Sequence, residues 1–149
     1  MSHLVALAAA LGPDATLISD SDITASYSRD HAPFAVSAPP FAVLLAKNAQ
    51  EISKALIFAN DHKIPVVTRG AGSGLSGGAN SDAQSLVISL EKMNQILSLD
   101  AANQIARVQA GVINIDLDNA ANEHGLAYLP DRRGWSATHR FSNRLLRSN

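Results

Sequence analysis

The alternation of apolar and polar positions predicts a strand, a helix and a second strand in the first half of the chain. Residues 41–45 form a short apolar run, which is typical of a buried strand. Asn48 and Glu51 have the spacing of a capping box at the start of a helix. Apolar residues then recur on one helical face, at Ile52, Ala55, Leu56 and Ala59. The next strand covers residues 65–68, and such a strand–helix–strand unit favours a parallel pair of strands.

The remaining pattern is less regular. A helix over residues 4–11 is predicted, capped by Ser2 and ended at Gly12. After the crossover unit the pattern predicts three further strands, at residues 85–90, 95–100 and 104–110. A helix over 113–124 follows, with Asn114 as N-cap and Gly125 at its C′ position, before a strand that begins at 126. This mixed order predicts an α+β fold.

Composition and net charge narrow the function classes. The 149 residues are 46% apolar and carry a net charge of −1, so we expect a packed core and neither a nucleic-acid nor a membrane partner. No run reaches the length of a membrane span, and we expect a cytoplasmic protein. The absence of cysteine excludes disulfides and thiol nucleophiles, and the five dispersed histidines lack metal-ligand spacing.

A sharp change in charge divides the chain after Asp131. Residues 132–149 contain five arginines and no acidic residue, whereas residues 1–131 hold 7 basic and 13 acidic residues. We therefore predict a domain over 1–131 and a divergent basic tail over 132–149 outside the native fold, and we hypothesise a frameshifted or misjoined gene end. The alternative is a nucleic-acid-binding arm in which Trp135 and Phe141 stack on bases.

Residues 69–80 form a glycine-rich loop that contains five of the nine glycines. Such a loop can turn several backbone N–H groups towards an oxyanion such as pyrophosphate. It is not a Walker A loop, because no lysine lies between Lys63 and Lys92. Residues 72–77 satisfy the Rossmann pattern G-x-G-x-x-G, but a strand follows rather than a helix. The remaining interpretation is a pyrophosphate loop that joins two strands and binds its ligand through backbone amides.

Residues 64–79 resemble the pyrophosphate loop of the vanillyl-alcohol-oxidase/PCMH family of FAD-linked oxidases. The greatest similarity is to the branch of glycolate and D-lactate oxidases and dehydrogenases. Segments in the same order extend the resemblance over roughly residues 15–131. The resemblance implies an incomplete PCMH-type FAD-binding domain: a strand–helix–strand subdomain and the start of a second, mixed-sheet subdomain.

The same resemblance implies a set of cofactor-binding residues. Pro65 and Val66 would lie near the adenine, Ser76 would contribute its side chain, and Gly78 would pass under the cofactor. The pyrophosphate would be held by backbone amides of Gly70, Ala71, Gly72, Ser73 and Gly74. Pro130 and Asp131 would begin the segment that approaches the isoalloxazine ring.

Arg69 and Ser73 bear on how the cofactor would be bound. Arg69 either screens phosphate charge or pairs with a strand-end carbonyl, and the sequence favours neither. Some branches attach the flavin to a histidine in the loop; Ser73 stands at about that position here, which implies non-covalent FAD. Asp30, where the family often has an aspartate, is expected to anchor structure rather than to catalyse.

The implied function is that of a flavin-dependent oxidoreductase that passes hydride from a small 2-hydroxy acid to flavin N5. No catalytic residue and no metal ligand can be assigned, because no general base or substrate-binding domain is found in the chain. We therefore expect little turnover from this chain alone, and a 2-hydroxy acid as partner only of an intact relative. The alternative is a non-catalytic nucleotide-binding module or inactive truncated remnant, with self-association or a complementing chain as further expectations.

Overall fold

The computed structural model describes residues 3–128 and 146–147 and divides the chain into two units, Met1–Lys92 and Met93–Asn149. Ser2, Pro130, Asp131 and nearly all of the basic tail lie outside the described residues. None of the described helices is long and apolar enough to cross a membrane. The first unit contains α1 (His3–Leu11), β1 (Thr16–Ile18), α2 (Ser21–Ala25), β2 (Ala42–Leu45), α3 (Ala49–His62), β3 (Val66–Arg69) and β4 (Leu86–Ser89).

The four strands of the first unit form one sheet in the order β1-β2-β4-β3. The expected parallel orientation of β2 and β3 is present, but the two strands do not pair with each other: β4 lies between them and pairs in parallel with both. All four residues of β4 are buried, whereas those of β3 are partly or fully exposed. The central place suits β4 because its first three residues, Leu86, Val87 and Ile88, are apolar, and a strand covered on both faces must be mostly apolar.

The capping box at the start of α3 is confirmed. Asn48 Oδ1 accepts a hydrogen bond from the Glu51 amide at 2.9 Å, and Glu51 Oε2 accepts from the Lys47 amide at 2.9 Å. The predicted apolar face is partly wrong, since Leu56 is 46% exposed and Phe58 is buried instead. Phe58 shares the buried face with Glu51, Ala55 and Ala59 at helical spacing, and it stacks on His62 with ring centroids 4.1 Å apart.

Two short elements of the first unit were not predicted. β1 adds an antiparallel edge strand beside β2, and α2 begins at Asp20, whose Oδ1 accepts from the amides of Asp22 and Ile23 at 2.9 and 3.2 Å. The N-cap chemistry of Asp20 was a sequence signal for α2. α2 matters for the site because residues 26–38, which follow it, lie against the glycine-rich loop.

The second unit begins with the antiparallel hairpin of β5 (Ile96–Asp100) and β6 (Ile105–Val108), as predicted. It continues with α4 (Asn114–Asn122) and with β7 (Leu126–Ala127), which pairs antiparallel with β8 (Leu146–Arg147). The two caps predicted for α4 are each displaced by one residue. Ile113 is the N-cap because Asn114, which is 1% exposed, is already helical. Ile113 makes no side-chain capping bond. The C-cap is Glu123, so Gly125, with φ of +67°, lies at C″.

Candidate functional site

The glycine-rich loop leaves the carboxyl end of β3 and leads back to the start of β4. Two of its glycines have left-handed backbones, with φ of +69° at Gly72 and +76° at Gly77. A Cβ at Gly72 would overlap the guanidinium of Arg69, and one at Gly77 would lie 3.0 Å from the Cβ of Ala35. These two positions therefore require glycine for both torsion and space.

The loop presents a run of unused backbone donors. Within the described residues, none of the N–H groups of residues 72–78 donates a hydrogen bond to the protein. The loop is closed after this run by the amide of Asn80, which donates to the Gly77 carbonyl at 3.1 Å. Consecutive amides without a protein acceptor can bind an anion, which then satisfies donors that are otherwise left to water.

The loop is fixed from one side by residues 28–38. The His31 amide donates to the Gly74 carbonyl at 2.9 Å, and the Asp30 amide donates to Asn80 Oδ1 at 2.9 Å. Ser81, just after the loop, donates its amide to the Ser28 carbonyl at 2.9 Å. Because these bonds join residues that are more than 40 positions apart, the tertiary fold and not the local sequence sets the loop's conformation.

Asp30 contributes its carboxylate to the same contact. The side chain is 4% exposed, and its Oδ1 accepts from the Ala32 amide at 2.9 Å. Its Oδ2 accepts from the Ala79 amide at 3.5 Å and lies 3.1 Å from where a Cβ on Gly74 would stand. The contacts match the anchoring role expected for this residue, and they show why a side chain at Gly74 would disturb it.

Arg69, the last residue of β3, donates from Nη1 to the Arg29 carbonyl at 2.8 Å and from Nη2 to the Ser26 carbonyl at 3.5 Å. Its guanidinium carbon lies 5.8 Å from the ring centroid of Tyr27. Burial lowers the pKa of Arg69, and the charges of Tyr27 and Asp30 oppose that shift. Arg69 therefore pairs with backbone carbonyls, and pairing with a carbonyl was one of the two alternatives predicted. The two carbonyls, however, belong to the segment after α2 and not to the end of a strand.

Tyr27 connects this arginine to the end of β4. Its hydroxyl donates to Glu91 Oε2 at 3.3 Å, and the same carboxylate oxygen accepts from the Ser89 hydroxyl at 3.3 Å. Burial raises the pKa of Tyr27, and the nearby carboxylate of Glu91 raises it further. The phenol is thus a neutral donor that fixes the aromatic face beside Arg69.

A cleft of about 950 Å³ lies between residues 25–37 and the start of the loop. This volume lies within the usual range for a small-molecule site. The charged or titratable side chains in its lining are Arg29, Asp30, His31 and Arg69, so cationic groups outnumber the single carboxylate. Of the residues predicted for the site, the cleft is lined by Arg69, Ala71 and Gly72; its other wall was not predicted from the sequence.

The predicted adenine contacts lie at the other end of β3. Val66 begins this strand and Arg69 ends it, so the two are about 10 Å apart along the strand. Pro65 accepts a hydrogen bond from the Leu86 amide at 2.9 Å and borders a second cleft of about 550 Å³, together with Phe41 and His62. Ser76 and Gly78 are exposed in the loop. The part of the chain that the structure describes brings no three histidine, aspartate or glutamate side chains together as a metal site.

Comparison with known proteins adds three findings. Residues 40–137 match the model of a protein family described as "FAD binding domain". The chain is 42% identical over 105 residues to the glycolate oxidase subunit GlcD of Bacillus subtilis, covering 70% of this chain and 22% of that protein. It is 44% identical over 102 residues to a D-lactate dehydrogenase of Archaeoglobus fulgidus, covering 68% of this chain and 23% of that protein.

Comparison of the structure itself identifies the fold. The crystal structure of p-cresol methylhydroxylase with substrate bound superposes with a TM-score of 0.76 at 23% identity, over 91% of this chain and 27% of that one. The α+β, PCMH-type fold predicted from the sequence is thereby confirmed, and the chain covers part of that fold. The chain spans less than a quarter of the length of the two relatives that it matches in sequence.

Proposed function

Because this chain belongs to the family of FAD-binding domains, related to glycolate oxidase and D-lactate dehydrogenase, we propose that its loop over residues 70–78 binds the pyrophosphate of FAD. The observation that carries this proposal is the run of N–H groups over residues 72–78 that have no acceptor among the described residues. A diphosphate offers several acceptor oxygens and two negative charges to such a run. The cationic lining of the adjoining cleft favours the same ligand.

Each part of the cofactor then has a proposed contact. The pyrophosphate is held by backbone amides of Gly70, Ala71, Gly72, Ser73 and Gly74, with the side chain of Ser76 as a further donor. Pro65 and Val66 face the adenine, one strand length from the loop. Gly78 passes under the cofactor, where a Cβ would meet open space. Pro130 and Asp131 lead towards the flavin ring, outside the described residues.

Arg69 has a supporting part in this proposal. Two of its donors are used by the carbonyls of Arg29 and Ser26, so it acts mainly by holding the cleft wall and by its positive charge. A non-covalent cofactor is supported by Ser73, which stands at about the position where some branches of the family attach the flavin to a histidine.

The activity of the whole protein is proposed from its relatives. Bound FAD would accept a hydride from the Cα of a 2-hydroxy acid of glycolate or D-lactate type. This chain's share is to bind and orient the cofactor, and the substrate contacts would come from the length that the relatives have and this chain does not match. The different-class candidate is a nucleotide-binding module without turnover, alone or with a complementing chain. It is favoured by the run of N–H groups over residues 72–78 without an acceptor among the described residues, because such a run would accept the diphosphate of other nucleotides as well.

The test is a titration of the purified chain with FAD, followed by quenching of flavin fluorescence. We expect micromolar binding that ADP competes for and riboflavin does not, because riboflavin lacks the pyrophosphate. Binding of riboflavin with equal strength, or no binding by a folded chain, would reject the loop as the site. Bleaching of the bound flavin by anaerobic glycolate or D-lactate would reject the module without turnover.

A further inference from the structure

The contact between Asp30 and Asn80 joins two segments that are distant in sequence. The Asp30 amide donates to Asn80 Oδ1 at 2.9 Å, and Asn80 Nδ2 donates to the Ala35 carbonyl at 3.2 Å. The Asp30 carboxylate accepts from the amides of Ala32 and Ala79 at 2.9 and 3.5 Å. One side chain from each segment therefore binds the backbone of the other.

This contact lies at the C-terminal end of residues 72–78, whose N–H groups have no acceptor among the described residues. Asn80 lies just after this run, and Asp30 Oδ2 accepts from the amide of Ala79, which directly follows it. The His31 amide, next to Asp30, donates to the Gly74 carbonyl at 2.9 Å within the run. The contact and the neighbouring His31 bond therefore fix the backbone of the loop at two places, near Gly74 and at residues 79–80.

We propose that Asp30 and Asn80 are positioning residues that hold the loop over residues 72–78 in its anion-binding conformation. This inference rests on the proposed function and adds the determinant of pyrophosphate affinity that lies outside the loop. Neither side chain touches the phosphates; both act through the backbone that they bind.

The charge of Asp30 allows a test, because an effect of charge and an effect of positioning would change the affinity for a diphosphate in opposite directions. A carboxylate close to Gly74 repels a bound diphosphate, so an effect of charge alone would make the neutral variant bind more tightly. A positioning effect has the opposite sign, because asparagine has one acceptor oxygen and cannot serve the amides of Ala32 and Ala79 as a carboxylate does. The substitution Asp30→Asn changes charge and acceptor number with almost no change of shape.

The experiment compares ADP and adenosine as probes on the full chain and its variants, by competition against FAD. We expect Asp30→Asn to weaken ADP about tenfold, the scale of one lost hydrogen bond to a charged group, and to leave adenosine unchanged. Asp82→Asn is the matched control, because Asp82 also accepts from a nearby amide, that of Gln84 at 2.8 Å, whereas its described hydrogen bonds join it to Gln84 and Ser85 and not to residues 72–78. Asn80→Ala should act in the same direction and combine non-additively with Asp30→Asn.

Each outcome decides the inference. Tighter or unchanged ADP binding by Asp30→Asn overturns it while the FAD proposal stands, and so does an equal loss for adenosine, which indicates general damage. If Asp30→Asn does not fold, Asn80→Ala, which leaves the carboxylate, provides the same comparison. If the unsubstituted chain binds neither FAD nor ADP, the proposed function fails first and this inference with it.

Discussion

Replacing Gly72 with alanine tests the loop most directly. The backbone at Gly72 has φ of +69°, where an L side chain is strained, and the new Cβ would overlap the guanidinium of Arg69. Gly12, between α1 and β1 and outside the loop, also has a positive φ, of +96°, but nothing lies within 4 Å of an added Cβ. The pair Gly72→Ala and Gly12→Ala therefore makes the same chemical change at two positions of positive φ, one inside the proposed site and one outside it.

The expected cost can be worked from two contributions. A left-handed torsion costs about 1–2 kcal/mol for a residue other than glycine. Arg69 must also move, which costs roughly 1–3 kcal/mol if its 2.8 Å bond to the Arg29 carbonyl is lost. The sum of roughly 2–5 kcal/mol corresponds to FAD binding weaker by about 30- to 4,000-fold. Gly12→Ala should carry a torsional cost in stability but change the FAD affinity by less than about threefold.

The assay is the FAD titration by fluorescence quenching, with the unfolding temperature measured in parallel. The double variant Arg69→Ala, Gly72→Ala separates the two contributions, because it removes the guanidinium that the Cβ would meet. Relative to Arg69→Ala alone, the added cost of Gly72→Ala should fall to the torsional part. Equal losses of FAD affinity at Gly72 and Gly12, or tight binding by Gly72→Ala, would refute the reasoning.

Three further predictions concern stability and pH. Asn48→Ala should destabilise the fold by about 1 kcal/mol in urea unfolding, because it removes the N-cap of α3; an equal effect of Gln50→Ala, exposed in the same turn, would contradict this. Leu44→Ala should lower the free energy of unfolding by about 2–5 kcal/mol, because the side chain is 0% exposed. Leu56→Ala should lower it much less, because that side chain is 46% exposed. Equal losses would reinstate the helical face predicted from the sequence. A serine hydroxyl and backbone amides hold the pKa of Asp82 below its ordinary value of 3.8. The stability it contributes is complete above that value and is lost as pH falls through the lower pKa of the folded state; a stability difference from Asp82→Asn that does not shrink in acid would disprove it.

The sequence by itself determined the elements whose signals are local. The capping box predicted the start of α3 because its hydrogen bonds join residues three and four positions apart. The apolar runs predicted β2 and β4, and turn residues separated β5 from β6. The glycine-rich loop, through its resemblance to FAD-linked oxidases, identified the family, because the spacing of the glycines can be read directly from the sequence. β1 and α2 were missed because three and five residues are too few to show a period.

Only the tertiary structure decided the relations between distant segments. The place of β4 between β2 and β3 depends on which strand is buried on both faces, which apolar runs of similar length do not reveal. The second wall of the cleft comes from residues 25–37, more than 30 positions before the loop. Asn80 was not singled out from the sequence, and the anchoring role of Asp30 was expected only from the family resemblance; the bonds that define both roles cross 49 and 50 positions. A local pattern can specify a turn that is able to bind an anion, but the contacts that hold it in that form arise only when the chain has folded.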